Sequence, residues 1–463
     1  MLQSLFLFLT IAGVPIAIAM SGASLIYVIA TGNLPPFVVI HRMISGIDSF
    51  PLLAVPFFIL AGNLMNNAGI TNRIFEIATA LVGWLRGGLG HVNVVASIIF
   101  SGMSGTAIAD AAGLGTVEIK AMKDQGYPTE FAVGVTAASA TLGPIIPPSL
   151  PIVIYAMLAH VSVGGMFLGG IIPGLIIAVL IMSTVSYFAW KNQWGGDIFF
   201  NPKLFGRGLL ELAIVIGWPV GLWYAVEIGA PPRTTVFIGL LLLLLADYKF
   251  KFVAVMPMLT PILLIGGMTV GLFTPTEGAI AACIWALFLG LFWYRSMNLK
   301  QFVRISIETV ETTAVVMFIV AASSIFSWML TAEGITADIA SWILGVTTEA
   351  WMFLLLANVL MLLIGCFLEP VAAITILVPI LVPVAQQLGI DPMHFGLVMV
   401  LNLMIGLLTP PVGLVLFIMA RISQMSIERT IVAILPWFAP LLISLLIITY
   451  VPQVVLWLPN LMR

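Results

Sequence analysis

The sequence predicts an all-α integral membrane protein organised as an inverted repeat, with two re-entrant helical hairpins and two broken helices. Three observations lead to this prediction: the apolar composition, the placement of the basic residues, and two matching segments with proline-rich interruptions. Of the 463 residues, 61% are hydrophobic and 8% are charged, and the mean hydropathy is +1.19. Because a soluble domain carries roughly a quarter charged residues, this apolar surface requires lipid around it.

The same composition excludes several classes of function. A formal net charge of −2 argues against a nucleic-acid partner, which would need a basic face. Cys283 and Cys366 lie in apolar segments and the four histidines lack ligand spacing, so we expect no disulfide framework and no metal centre. No motif combines a nucleophile, a base and an orienting group, so we expect no catalytic residues and no enzyme.

The loops between the apolar segments indicate how the chain is oriented. Spans are predicted at residues 2–30, 50–67, 131–159, 164–190, 209–228, 234–246, 252–272, 279–294, 305–330, 395–420 and 430–458. The first of these lacks the basic start and the cleavage site of a signal peptide. If the loop after residue 67 is cytoplasmic, every lysine and arginine is inside except Arg42, Arg233 and Arg463. This positive-inside pattern predicts an N-terminus in the cytoplasm and a C-terminus outside.

An internal repeat relates residues 110–174 to residues 370–437 at a nearly constant offset. The matches are Phe131 with Phe395, Pro147 and Pro148 with Pro410 and Pro411, and Ser162 with Ser426. Basic loops flank the first half and acidic loops the second, so the halves are predicted to be inverted, as in many secondary transporters. The predicted organisation is an N-terminal repeat at 1–190, a connector at 191–251 with an additional apolar helical pair, and a C-terminal repeat at 252–463.

Each repeat contains a predicted hairpin that turns back within the membrane. A spanning helix needs about 20 residues, more than the arms of hairpin 1 (residues 92–119) provide. Its small and flexible residues at 101–106 predict the turn, and hairpin 2 (residues 351–384) is predicted to turn at 365–370.

A helix interrupted midway follows each hairpin. Broken helix 1 (residues 131–159) is interrupted at 143–149, and broken helix 2 (residues 395–420) at 409–413. Paired prolines remove amide donors and free carbonyls, which cannot be left bare in lipid. Carbonyls and hydroxyls at such a junction suit Na⁺, while the N-terminus of the second half-helix favours a carboxylate or sulfonate. Na⁺ is preferred to a proton because intramembrane carboxylates are scarce.

These junctions supply the candidate binding residues. The predicted sodium-binding residues are Ser101, Ser104, Gly105, Asp110, Gly143, Pro147, Ser149, Gly365, Thr409 and Gly413. The predicted substrate-binding residues are Ser104, Thr106, Pro148, Asn402, Gly406 and Pro411. The alternative interpretations are that the hydroxyls at 101–106 only permit close helix packing and that the interruption at 143–149 is only a kink.

Of five polar residues near these motifs, three have competing interpretations and two have a single expected role. Asp110 and Glu369 are either sodium ligands or helix caps, and Asn402 either faces the site or bonds to a neighbouring helix. Glu118, beside a lysine at the base of hairpin 1, is expected to be solvated. Glu277 is expected to cap the helix that follows it.

At these motifs the sequence resembles the large membrane subunit of tripartite ATP-independent periplasmic (TRAP) transporters. The motifs lie at residues 101–110, 143–149, 273–277 and 406–413, and the resemblance extends from the first helix to about residue 436. The pair at 209–246 departs from the family, whose large subunit has a shorter connection there.

The resemblance implies an elevator-type, sodium-coupled importer of organic acids in a bacterial inner membrane, with a periplasmic C-terminus. It implies two partners, a periplasmic substrate-binding protein and a small four-helix membrane subunit, and no cofactor other than Na⁺ as the coupling ion. The alternative is a self-sufficient sodium/dicarboxylate-type carrier without a binding protein. An ion channel is disfavoured because no helix carries a polar stripe along its length.

Overall fold

The computed structural model describes residues 1–48, 50–196, 200–227, 232–250, 252, 255–269, 273–410 and 413–461. These residues form helices and no β-strand, which confirms the all-α prediction. Five of the described helices are long and apolar enough to cross a membrane: Val163–Lys191, Pro275–Trp293, Leu299–Ala332, Pro370–Gln387 and Ile427–Tyr450. Pro370–Gln387 is the second arm of hairpin 2, and it is long enough to cross a membrane. The re-entrant character of hairpin 2 therefore stays a prediction.

The N-terminal region contains more helices than the sequence predicts. Its helices are α1 (Leu2–Ile11), α2 (Ile16–Thr31), α3 (Phe37–Ile47), α4 (Ala54–Asn67) and α5 (Ile70–Val82). The single helix predicted at 2–30 is wrong, since Gly13 has a φ of +81° and Pro15 precedes α2 as its N-cap. A proline there cannot donate to the preceding turn, so the chain ends one helix and begins another.

Hairpin 1 and broken helix 1 form the next region. The helices are α6 (Gly88–Ser104), α7 (Ala107–Ala109), a π-helical turn (Asp110–Leu114), α8 (Gly115–Asp124), α9 (Thr129–Ala140), α10 (Leu150–Leu158) and α11 (Val163–Lys191). The predicted helix–turn–helix and the predicted interruption are both present. However, α6 continues through Ser104, so the turn is confined to residues 105–106, which we call tip 1.

The middle of the chain contains the connector and the longest helix. The helices are α12 (Pro202–Glu227), α13 (Pro232–Phe250), α14 (Val255–Thr269), α15 (Pro275–Leu287) with a π-helical end (Phe288–Trp293), α16 (Leu299–Ala332) and α17 (Ile335–Val346). The additional apolar pair is therefore helical, although most of the link at 229–233 lies outside the described residues. Helix α12 packs against α5 and α14.

Hairpin 2 and broken helix 2 repeat the earlier pattern. The helices are α18 (Ala350–Gly365), α19 (Pro370–Gln387), α20 (Pro392–Gly406), α21 (Leu414–Ser423), α22 (Ile427–Ile434), α23 (Phe438–Tyr450) and α24 (Gln453–Leu461). The span predicted at 430–458 is confirmed only in part: the helical run Ile427–Tyr450 is long enough to cross a membrane, a 3₁₀ turn at Leu435–Trp437 lies within it, and the run ends before Pro452. We call residues 366–369 tip 2, and residues 141–149 and 407–413 break 1 and break 2.

The two halves of the protein pack against each other through equivalent helices. Within each half, both arms of the hairpin pack against the first part of the broken helix, α9 or α20. Between halves, α10 packs against α19, while α21 packs against α7 and the π-helical turn. Every residue of α9 from Phe131 and of α20 from Met393 is buried, which explains why these helices are apolar on all faces. Break 1 is therefore enclosed in a protein core, whereas in break 2 Leu407 and Leu408 are buried, Thr409 is half-buried and Pro410 is exposed.

Candidate functional site

Tip 1 lies directly against break 1. The amide of Leu150 donates to the Gly105 carbonyl at 3.3 Å. A methyl group added at Gly105 would lie 2.6 Å from the Pro148 carbonyl oxygen, and one at Gly143 would lie 3.0 Å from the Thr106 carbonyl oxygen. Gly105 also has a φ of +64°, which L side chains rarely adopt. Because Gly105 and Gly143 have no side chain, the main chain of hairpin 1 can lie in direct contact with the main chain of broken helix 1.

Tip 2 meets break 2 by the same device. The Gly413 amide donates to the Cys366 carbonyl at 3.5 Å. A methyl group added at Gly406 would lie 2.6 Å from the Gly365 Cα atom. In both halves, a tip carbonyl thus accepts from the amide that opens the second half-helix. Pro411, predicted to bind substrate, lies outside the described residues.

Side-chain caps hold the helix starts at these junctions. The Thr106 hydroxyl accepts from the Ala109 amide at 3.2 Å, and the Ser149 hydroxyl accepts from the Ile152 amide at 3.2 Å. The same Ser149 hydroxyl donates to the Pro144 carbonyl and satisfies an acceptor freed by the break. Of the five polar atoms in these hydrogen bonds, three belong to residues 144–152 and two to residues 106–109.

Glu369 occupies the corresponding cap position in hairpin 2. Its Oε2 atom accepts from the Ala372 amide at 3.2 Å, so the cap interpretation of this carboxylate holds. Glutamine keeps an oxygen in that place, whereas alanine does not. We expect Glu369→Gln to stay within about 0.5 kcal/mol of wild type and Glu369→Ala to lose about 1 kcal/mol of unfolding free energy, measured by thermal unfolding in detergent. Equal losses in both variants would show that the charge, and not the cap, stabilises tip 2.

A cavity of about 340 Å³ lies between the two tips and helices α4 and α16. Ser104 and Thr106 reach it from hairpin 1, and Glu369 reaches it from tip 2. The Ser104 Oγ atom is buried and has no hydrogen-bond partner among the described residues. From the opposite side, Asn63 of α4 and Thr312 of α16 complete the lining. The cavity thus has polar walls on the side of both hairpins and on the side of α4 and α16.

The other predicted site residues that the structure describes do not line this cavity. Ser101 is inside α6 and donates to the Ser97 carbonyl, while Thr409 donates to the Ile405 carbonyl at 2.9 Å. Asn402 is fully buried and donates to the Asn358 side-chain oxygen at 2.7 Å. The described geometry therefore agrees with the interpretation that Asn402 joins α20 to a neighbouring helix.

Two site-lining groups were missed by the sequence interpretation. Asn63 and Asn66 of α4 are spaced one turn apart in an apolar helix and both line the cavity. The Asn63 amide donates to the Thr309 hydroxyl of α16 at 3.0 Å. Polar residues within a membrane helix often mark a functional site. The spacing of Asn63 and Asn66, one turn apart in an apolar helix, is the sequence observation that could have identified both residues.

Hairpin 1 also contains a buried polar network. Asn93 donates to the Glu118 Oε2 atom at 2.6 Å and to the Thr136 hydroxyl at 2.8 Å, and it accepts from the Ser139 hydroxyl at 2.7 Å. Glu118 is only 1% exposed, so the expectation that it is solvated is wrong. Glu118 is buried because α8 packs against α6 and α9, and this tertiary packing encloses the inner face of α8.

Asp110 lies in the same hairpin, at the start of the π-helical turn. It is 2% exposed and accepts from the Ser97 hydroxyl at 3.5 Å. Thr106 caps α7, so Asp110 does not have the capping role that was its alternative interpretation. Glu277, in contrast, does form a capping box with Thr274, as expected.

Comparisons with known proteins give three kinds of similarity. The family described as "Tripartite ATP-independent periplasmic transporter, DctM component" matches residues 3–454. The sialic acid TRAP transporter large permease protein SiaM of Vibrio cholerae is 41% identical, over 98% of this chain and 96% of its own. The C4-dicarboxylate TRAP transporter large permease protein DctM of Pseudomonas aeruginosa is 37% identical, over 89% of this chain and 87% of its own.

A third relative and a solved structure complete the comparison. The isethionate TRAP transporter permease protein DctMQ of Oleidesulfovibrio alaskensis is 34% identical, over 97% of this chain and 64% of its own. The crystal structure of the YdaH transporter of Alcanivorax borkumensis is similar with a TM-score of 0.56 at 15% identity, covering 89% of this chain and 87% of that one. At that identity the likeness concerns the fold alone.

Proposed function

Because the chain belongs to the family of DctM components of tripartite ATP-independent periplasmic transporters, we propose that it takes up a small organic anion by sodium-coupled transport. It is a multi-pass membrane transport protein and not an enzyme. The similar permeases are described for sialic acid, C4-dicarboxylates and isethionate, which are carboxylates and a sulfonate. A carboxylate or sulfonate is therefore the proposed substrate class.

One observation supports this proposal most directly: both hairpin tips close onto proline-rich breaks beside one cavity that has polar side chains on opposite walls. Main-chain carbonyls concentrated at such breaks are suited to replace the hydration shell of Na⁺, and half-helix N-termini favour an anion. The proposed sodium ligands are the residues named from the sequence: Ser101, Ser104, Gly105, Asp110, Gly143, Pro147, Ser149, Gly365, Thr409 and Gly413. Ser104 and Thr106 are the proposed substrate contacts that line the cavity.

In the proposed cycle, Na⁺ binds first at each junction and fixes the tip against the break. This organises the cavity for the anion, and the re-entrant hairpins then move with the broken helices, as an elevator, against a scaffold that includes α4 and α16. Each net positive charge that enters at 100 mV contributes about 2.3 kcal/mol to accumulation. The proposed setting is a bacterial inner membrane, with a cytoplasmic N-terminus and a periplasmic C-terminus.

The proposed partners are a small TRAP membrane subunit and a periplasmic substrate-binding protein. In proteoliposomes that contain both membrane subunits, we expect uptake only when Na⁺ and the loaded binding protein are both supplied. The measurement is accumulation of labelled succinate, isethionate or N-acetylneuraminate under an inward Na⁺ gradient. Uptake at an unchanged rate in choline buffer would reject sodium coupling. Uptake at an unchanged rate without the binding protein would instead favour the self-sufficient carrier.

A further inference from the structure

A second cavity, of about 420 Å³, lies farther along the same helix α16. On one side it is lined by α3 and the segment of α16 that contains Ser327 and Trp328, and on the other by α10 and α19. The first cavity reaches Val316 of α16 and the second begins at Val320, one helical turn or about 6 Å away. The two cavities therefore follow one another along the cleft between α16 and the hairpin core.

Arg42 of α3 is the cationic residue that lines this second cavity. Its guanidinium carbon lies 4.6 Å from the centroid of the Trp328 ring, a cation–π arrangement that orients the side chain. Its main-chain carbonyl accepts from the Ser324 hydroxyl at 3.4 Å. A methyl group added at Gly46 would lie 2.3 Å from the Ser324 Cβ atom, so α3 and α16 are in close contact beside the arginine.

Arg42 is an exposed residue, and its contact with the Trp328 ring positions the guanidinium. Among the described residues, no carboxylate forms an ion pair with Arg42. The Ser327 hydroxyl and the His160 imidazole line the same cavity and supply further hydrogen-bonding groups. A planar guanidinium with hydrogen-bonding groups beside it is the arrangement that recognises carboxylates and sulfonates with two parallel hydrogen bonds.

We propose that this second cavity is a separate binding site for the carboxylate or sulfonate of the transported solute, with Arg42 as its charged contact. The inference rests on the proposed function for the identity of the anion. On the proposed orientation, Arg42 lies toward the periplasmic side, so an anion bound there occupies a position before the cavity between the tips. A phospholipid phosphate has the same chemistry and is the occupant from which the solute must be distinguished.

The test compares Arg42→Gln and Arg42→Lys with wild type in proteoliposomes that contain the small subunit and the binding protein. The probe is whichever of succinate, isethionate and N-acetylneuraminate the wild-type protein accumulates. We expect the glutamine variant to raise the half-saturation concentration about tenfold, and the lysine variant to raise it less because the charge is kept. Arg304→Gln is the matched control, because Arg304 is an exposed arginine at the other end of α16, paired with Glu308.

A cysteine variant separates charge from packing. In Arg42→Cys, modification with aminoethyl methanethiosulfonate restores a cation and should recover part of the affinity, whereas the sulfonatoethyl reagent should not. Wild type treated with both reagents controls for Cys283 and Cys366, which are buried. Equal behaviour of the two modified proteins would overturn the proposal.

The remaining outcomes are distinguishable from one another. An unchanged half-saturation concentration in Arg42→Gln would overturn the anion site while leaving the proposed function intact. If that unchanged value came with the loss of a phospholipid that wild type retains through purification, the site would belong to a lipid headgroup. Absence of uptake by wild type for every probe would reject the proposed function itself.

Discussion

Replacing Gly406 with alanine should lower uptake at least about tenfold and destabilise the protein by about 1–3 kcal/mol. The added methyl group would lie 2.6 Å from both the Cα and the carbonyl carbon of Gly365. Both atoms belong to the main chain, so no side-chain rotation can relieve the contact, and tip 2 must move away from α20. The measurements are initial uptake in proteoliposomes and the thermal unfolding midpoint in detergent.

The matched control for this variant is Gly217→Ala. Gly217 is also helical, in α12, but an added methyl group there meets no atom within 4 Å. Because alanine favours the helix more than glycine does, the control should be as stable as wild type or slightly more stable. Wild-type uptake by Gly406→Ala would show that the close approach of tip 2 to break 2 is not needed for transport.

Replacing Asn93 with leucine should cost about 3 kcal/mol of unfolding free energy. Asn93 is the hydrogen-bond donor to Glu118 Oε2 at 2.6 Å, and the other oxygen of this carboxylate has no hydrogen-bond partner in the described part of the chain. Removing the amide leaves a buried acidic group without a hydrogen-bond donor among the described residues, which costs free energy. The measurement is thermal unfolding of the purified protein.

A second substitution tests the cause of this loss. In the double variant Asn93→Leu with Glu118→Met, both polar partners are absent, so we expect much of the stability to return and a coupling energy of at least about 1 kcal/mol. Asn192→Ala is the control, since the amide of that exposed asparagine donates to the Phe188 carbonyl of its own helix and its loss should be near neutral. Purely additive losses from Asn93→Leu and Glu118→Met would contradict the network.

Local chemistry explains why so much of the fold follows from the sequence. Proline cannot donate and clashes with the preceding turn, so Pro147 and Pro148 in break 1 and Pro410 in break 2 mark where helices end. Glycine has no Cβ atom, so Gly105 and Gly406 allow the close approach of main chains at the two junctions. The helices that form both hairpins and both broken helices, and the resemblance to one transporter family, depend only on such short-range signals.

Only the tertiary structure decided which polar groups share a site. Asn63 and Thr312 are far apart in sequence, and the cavity between the tips brings them together because α4 and α16 pack against each other. Glu118 was expected in water from its neighbouring lysine, and it is buried because two other helices cover it. Local sequence fixes where a helix begins and ends, but burial and contact depend on residues that are distant along the chain, which no local pattern encodes.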